Sequence, residues 1–174
     1  MIIINTHCIH LYYGFGKGKT TAVYGMALRA LGNGLTVTVS QFLKDGTSGE
    51  NKIISDIKGL TIVEPPKKVR FSFEMTADER EKYKNFANEM LVSAFRSDSE
   101  VLILDELTDA VTEGFIDLSF LNNLINETKS KKEIIMTGHS APAEILEFCD
   151  YVTEFKSIKH PFKKGLSARK GIEF

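Results

Sequence analysis

Between Tyr12 and Thr21 the chain reads YYGFGKGKTT, with an apolar strand-like run before it and a helix-like run after it. Gly18, Lys19 and Thr20 supply the GK[ST] end of a phosphate-binding loop. Lys19 neutralises phosphate charge there, and the Thr20 hydroxyl can ligate a magnesium ion. Gly14 and Gly16 free the backbone to wrap its N–H groups around oxygen anions. The helix that follows directs the positive end of its dipole at the same anion. Phe15, Lys17 and Thr21 complete the candidate nucleotide-binding stretch. The general GxxxxGK[ST] pattern wants its first glycine at position 13, where this chain has Tyr13, so the loop is a variant. A glycine-rich turn with incidental lysines is the competing reading, and the flanking strand and helix favour the loop.

The second chemical signal is VLILDE, Val101 to Glu106. An apolar strand ending in a carboxylate is how phosphate-loop proteins place a magnesium ligand opposite the loop threonine. Magnesium takes one or two carboxylates plus phosphate oxygens, so Asp105 and Glu106 both qualify. The competing reading is a helix cap or a solvated carboxylate. Arg29 follows Lys19 by ten residues on the helix leaving the loop, and alone it reads as a solvated face. His139 in GHS and His160 in KHPF are within reach of a ligand, but four histidines without metal spacing do not indicate zinc. Phe71 and Phe73 in RFSF would by themselves most often be core filler.

These groups need a scaffold. Cys8 to Tyr12 reads as a buried strand feeding the loop, with Met1 to Ile4 a short neighbouring strand. Thr20 to Leu31, Ala77 to Phe95 and Phe115 to Thr128 have helical spacing, and Pro142 to Phe148 starts a further helix. Leu35 to Phe42, Leu60 to Val63, Val101 to Leu104 and Glu133 to Thr137 read as strands. Strands alternating with helices, several apolar on both faces, predict a mostly parallel sheet covered on two sides. With the phosphate loop, this is an α/β fold of the P-loop NTPase-like (RecA-like) kind. Three polar loops, carrying the phosphate loop, Asp105–Glu106 and Gly138–Ser140, should then face one crevice at the carboxyl ends of the strands. Lys156 to Phe174 reads as an irregular basic surface segment.

The length of 174 residues fits one domain over 1–174. A net charge of −1 gives no global basic field for nucleic acid or an acidic membrane. Two distant cysteines without CxxC spacing fit a reduced cytoplasmic thiol state rather than a disulfide or zinc framework. The sequence has neither a signal-peptide pattern nor a run near the roughly 20 apolar residues a membrane span needs.

Taken together, GFGKGKTTAVYGMALRALGNG, VSQFLK with GE after it, RFSF, VLILDEL, MTGHSAP, KHPF and KKGLSARKGIEF resemble the corrinoid adenosyltransferases of cobalamin biosynthesis and salvage. These landmarks run almost end to end. The loop form GxGKGKTT, with a non-glycine where the general motif has its first glycine, is itself a mark of that family, so Tyr13 supports the resemblance. The resemblance implies transfer of the 5′-deoxyadenosyl group of MgATP to the cobalt of a reduced corrinoid, with release of triphosphate. Cobalt(I) is then the nucleophile, and the protein's work is positioning and neutralising the leaving triphosphate.

By position, the resemblance implies that Thr20 and Glu106, with Asp105 beside them, hold magnesium. It places Arg29 near the nucleotide phosphates and His160 among the nucleotide-contacting residues. It puts Phe71 and Phe73 on the corrinoid side, where an aromatic pair displaces the lower axial ligand. With Lys19, these arginine and phenylalanine side chains carry the expected chemistry. There are departures: Phe15 stands for an asparagine, Phe73 for the usual tryptophan, and His139 for the arginine of a TGRG segment. The N-terminal helix that helps cover the corrinoid in longer relatives is expected to be missing. The resemblance further implies a homodimer and an electron-donating flavoprotein partner. A phosphate-loop kinase or ATPase, and a non-catalytic sensor of ATP or corrinoid, are the alternatives.

Overall fold

The computed structural model describes residues 6–54 and 56–172, so the strand expected at Met1 to Ile4 lies outside the described residues. In chain order come β1 (Ile9–Tyr13), α1 (Lys19–Gly32), β2 (Val37–Gln41), α2 (Asn51–Ile54) and β3 (Leu60–Ile62). A 3-10 turn at Ser72–Glu74 precedes α3 (Ala77–Arg96) and β4 (Val101–Asp105). There follow α4 (Leu107–Thr112), α5 (Leu118–Thr128), β5 (Glu133–Gly138), α6 (Ala143–Phe148), β6 (Tyr151–Glu154) and a second 3-10 turn at Pro161–Lys164. The six strands pair in the order β3-β2-β4-β5-β1-β6, and every pairing is parallel. The expected α/β architecture, a parallel P-loop-type sheet with helices on both faces, is the one observed.

Successive side chains of a strand point to opposite faces, and here both faces are covered. Leu102 and Leu104 of β4 and Ile134 and Met136 of β5 pack with Ala87, Leu91 and Ala94 of α3 and with Leu121 and Ile125 of α5. Val101, Ile103 and Ile135 pack on the other side with Val23, Tyr24 and Ala27 of α1 and Ile54 of α2. That is why VLIL carries no polar residue: neither face meets water. α3 starts cleanly because Thr76 and Glu79 form a reciprocal capping box, with bonds of 3.2 and 2.9 Å.

The segments read as helices and strands match the observed ones to within a few residues, with three additions. β6 is an exposed edge strand, α4 spans only six residues and α2 four, so each is too short for its period to register. Among the described residues no helix is long and apolar enough to cross a membrane.

Candidate active site

In the sheet β4, β5 and β1 lie side by side and run parallel, so their carboxyl ends open on one edge. The phosphate loop, Asp105–Glu106 and Gly138–Ser140 therefore do converge, and β2, on the other flank of β4, adds Gln41 to Lys44. A cavity of about 830 Å³ runs from Gly16–Thr21 to Leu43–Glu50 and Glu106.

The loop is braced by its neighbours. Gly14 N–H donates to the Gly138 carbonyl at 3.1 Å, and Gly16 N–H to the Phe155 carbonyl at 2.7 Å. A Cβ on Gly14 would lie 2.5 Å from the Phe155 oxygen, and one on Gly16 2.7 Å from the Phe155 carbonyl carbon. The glycines are thus required by the close pass of the chain leaving β6, besides their freedom to wrap an anion. α1 begins at Gly18, at φ 105°, without a side-chain cap. Its first N–H groups accordingly remain to meet an anion. Lys19, 7% exposed, donates its ammonium to the Gly14 carbonyl at 2.6 Å.

Opposite the loop, Asp105 is fully buried and is held by four partners. Thr137 Oγ1 donates at 2.7 Å, Gln41 Nε2 at 3.1 Å, Lys44 Nζ at 2.7 Å and Thr20 Oγ1 at 3.2 Å. Gln41 is positioned in turn by Asn51, and Asn51 by the Tyr24 hydroxyl on α1. Burial raises the Asp105 carboxyl, but the Lys44 ammonium and the hydrogen bonds overcome it and hold the group below the usual carboxylate range.

Two turns that aim these groups are strained. Leu43 and Glu106 both adopt the left-handed region, at φ 56° and 58°, which residues with a Cβ rarely enter. Each follows a strand end and is secured by its N–H, Leu43 to the Tyr83 hydroxyl at 2.5 Å and Glu106 to Thr137 Oγ1 at 2.8 Å. Such strain is commonly kept where a side chain must be presented to a ligand.

Thr20 Oγ1, Asp105 and Glu106 surround one cation already. Lys44 Nζ lies 2.9 Å from Thr20 Oγ1, 2.7 Å from Asp105 Oδ2 and 3.5 Å from Glu106 Oε1. An ammonium thus occupies the place between a hydroxyl and two carboxylates, a hard oxygen set that suits magnesium. On the far side of Glu106, His139 Nδ1 lies 2.9 Å from Asp109, and the His139 N–H also donates to that carboxylate. Burial and a hydrogen bond with Asp109 push Glu106 up to about 7. The hydrogen bond that the His139 ring donates to the Asp109 carboxylate raises His139.

With this geometry in place, comparison with known proteins is decisive. The family model described as ATP:corrinoid adenosyltransferase BtuR/CobO/CobP matches residues 5–174. The chain belongs to this family. It is 32% identical over 174 residues to the corrinoid adenosyltransferase of Pseudomonas aeruginosa, covering 94% of this chain and 82% of that one. With the corrinoid adenosyltransferase of Escherichia coli K12 it shares 33% over 177 residues, covering 95% and 85%. With corrinoid adenosyltransferase CobA of Salmonella typhimurium it shares 30%, with the same coverage.

In this member of the adenosyltransferase family the structure separates the expected site residues. Gly14 to Thr21, Asp105 and Glu106 come together. Arg29 does not join them: it is exposed in the last turn of α1, about 15 Å of helix rise beyond Lys19. The helix that begins at the phosphate loop carries Arg29 away from Lys19 and leaves it exposed at the far end of α1. His160 is exposed, and its Nδ1 accepts the Phe162 N–H at 3.2 Å, capping the second 3-10 turn. From that C-terminal segment it is Gly171 and Ile172 that line the cavity.

Phe71 and Phe73 are not core filler. They are 70% and 81% exposed and stack with ring centroids 5.4 Å apart and an interplanar angle of 10°. Phe15, 78% exposed at the loop crest, tilts toward His139 with centroids 5.5 Å apart. Sequence reasoning left Lys44, Gln41, Thr137 and Asp109 without roles. Lys44 carries no local sequence signal, since the pairing of β2 with β4 is what brings it to Asp105.

Proposed function

We propose that this chain, acting as a single domain, transfers the 5′-deoxyadenosyl group of ATP to the Co(I) of a reduced corrinoid. The Co–C5′ bond forms as the C5′–O bond breaks, and triphosphate leaves with the electron pair. The observation that carries the reading is the exposed stacked pair Phe71–Phe73, two to four residues beyond Val69 in a chain segment that lines the phosphate cavity. Two apolar rings held in water beside an anion site suit a large, flat, apolar-faced co-substrate better than a phosphoryl acceptor.

Lys19, Lys17 and the loop N–H groups bind the triphosphate and take up its charge as it leaves. Thr20, Asp105 and Glu106 would hold magnesium, which supplies further charge neutralisation at the phosphate oxygens. Lys44 must then turn from their centre toward the phosphates. The free thiols Cys8 and Cys149 support a reduced, cytoplasmic setting. Homodimerisation and a flavoprotein electron donor belong to the same reading. Mixing protein, MgATP and chemically reduced corrinoid tests it. Adenosylated corrinoid and triphosphate are expected, and phosphate release without adenosylation would instead make the protein an ATPase.

Glu106→Gln keeps the shape of the side chain and loses its charge. It is expected to raise the magnesium concentration for half-maximal activity, and an unchanged midpoint would point to Asp105 or to neither carboxylate. Phe73→Ala is expected to slow the reaction from Co(II) corrinoid more than from corrinoid already reduced to Co(I). The exposed ring is read as holding off the lower ligand, a step that pre-reduction bypasses. The ratio of the two rates decides it, and equal losses would detach Phe73 from the corrinoid.

A further inference from the structure

We infer that Lys44 is the resident counter-ion of the magnesium site, so that a divalent cation enters only together with a polyphosphate that receives the displaced ammonium. The inference rests on the magnesium placement in the adenosyl-transfer reading and adds the residue that decides when the metal can bind.

A lysine ammonium has three N–H groups, and three oxygens meet this one. Thr20 Oγ1 at the start of α1 lies 2.9 Å from it, Asp105 Oδ2 at the end of β4 2.7 Å, and Glu106 Oε1 3.5 Å. The backbone that carries Lys44 is aimed there. Phe42 N–H extends the ladder between β2 and β4 by donating to the Asp105 carbonyl at 2.9 Å. Leu43, at φ 56°, is pinned by the hydroxyl of Tyr83, itself buried on α3. Asp105 is not free to turn toward another partner, because Thr137 holds one of its oxygens and Gln41 the other. A strained and anchored turn thus delivers one positive charge to the three oxygens expected to hold magnesium.

Two cations do not share such a place, since their repulsion at contact distance is strong where water is scarce. A metal ion arriving alone has to expel the ammonium from a fully buried carboxylate with no anion to receive it. A polyphosphate changes both sides of that balance. It supplies further oxygen ligands to the metal and offers the ammonium a new charged partner. The distance to be crossed is short: Lys44 lines the same cavity as Gly16 to Thr21, and Thr20, which it touches, belongs to the loop. Metal and polyphosphate are therefore coupled through one side chain, and each tightens the binding of the other.

The test adds Mn²⁺ without nucleotide and follows the paramagnetic resonance signal of the free ion. The parent is expected to show no saturable site below about 1 mM, while Lys44→Met and Lys44→Gln each bind one Mn²⁺ about tenfold more tightly or better. Magnesium alone should likewise raise the melting temperature of both variants and leave that of the parent unchanged. Lys44→Gln keeps a hydrogen-bond donor beside Asp105, so it carries the test should Lys44→Met fail to fold. Calorimetry should find that magnesium tightens tripolyphosphate binding by a larger factor in the parent than in Lys44→Gln. Equal factors overturn the inference, as does a parent that binds Mn²⁺ alone as tightly as the variants. Adding Asp105→Asn and Glu106→Gln to Lys44→Gln should abolish the gained site. A gain that survives both changes puts the metal elsewhere, and the magnesium placement itself then falls.

Discussion

Lys19→Ala is expected to lower the adenosyl-transfer rate by about two to three orders of magnitude, the usual cost of removing one electrostatic contact to a developing anion. Lys19 starts α1 directly behind the phosphate loop, is 7% exposed, and is one of the cations at the loop end of the cavity. Its ammonium is tied to the Gly14 carbonyl at 2.6 Å. Triphosphate must compete for that ammonium, and the charge that builds on the leaving group makes it the better partner late in the reaction. The effect should therefore fall on kcat as well as on KM. Because Lys19 also ties down the loop, the variant's melting temperature is measured alongside. A folded Lys19→Ala protein with a rate within threefold of the parent would show that the loop is not the ATP site.

Lys44→Met should have the largest effect on stability, about 3–5 kcal/mol at neutral pH in metal-free protein. The Lys44 ammonium lies 2.7 Å from Asp105, whose side chain is fully buried, and removing it leaves a carboxylate whose other partners are neutral donors. The pH dependence has a definite sign. In the parent the folded-state pKa of Asp105 is depressed, so its contribution is present above the ordinary carboxylate range and is lost as pH falls through the folded value. The Lys44 pKa is raised: burial lowers it, but the attraction of Asp105 and Glu106 prevails, so its contribution is lost only as pH rises through its alkaline folded value. In the variant burial dominates, and Asp105 takes up a proton more readily than an ordinary carboxyl. The gap in melting temperature between parent and variant should therefore narrow as pH is lowered through the acid range. A gap that is constant with pH would mean that Lys44 acts through packing alone.

The two variants separate residues of different legibility. Lys19 and Thr20 are readable because a phosphate loop is a local device, in which a few consecutive residues between a strand and a helix make the whole anion cradle. Asp105 and Glu106 are readable because a strand buried on both faces must be apolar until it emerges, and the first polar residues mark where it does. Lys44 has no such local mark. Its role comes from β2 pairing with β4, which sets Gln41 opposite Asp105 and brings the turn after β2 to the phosphate loop. Arg29 shows the converse, since its helical position was clear but the direction in which α1 carries it decides what it can reach.

Local periodicity and spacing, then, determined the alternation of strands and helices, the anion loop and the acidic strand end. These depend on neighbours within a few residues, and such information survives in a linear chain. Only the tertiary structure decided which strands are adjacent, and with them the four-partner hold on Asp105 and the ammonium between Thr20 and the acidic pair. It also decided that Gly14 and Gly16 must accommodate Phe155, that Phe71 and Phe73 stand in solvent, and that residues as distant as Thr20, Glu50 and Ile172 line one cavity. Each of these joins residues distant in sequence, and packing under the parallel strand order is what brings them together.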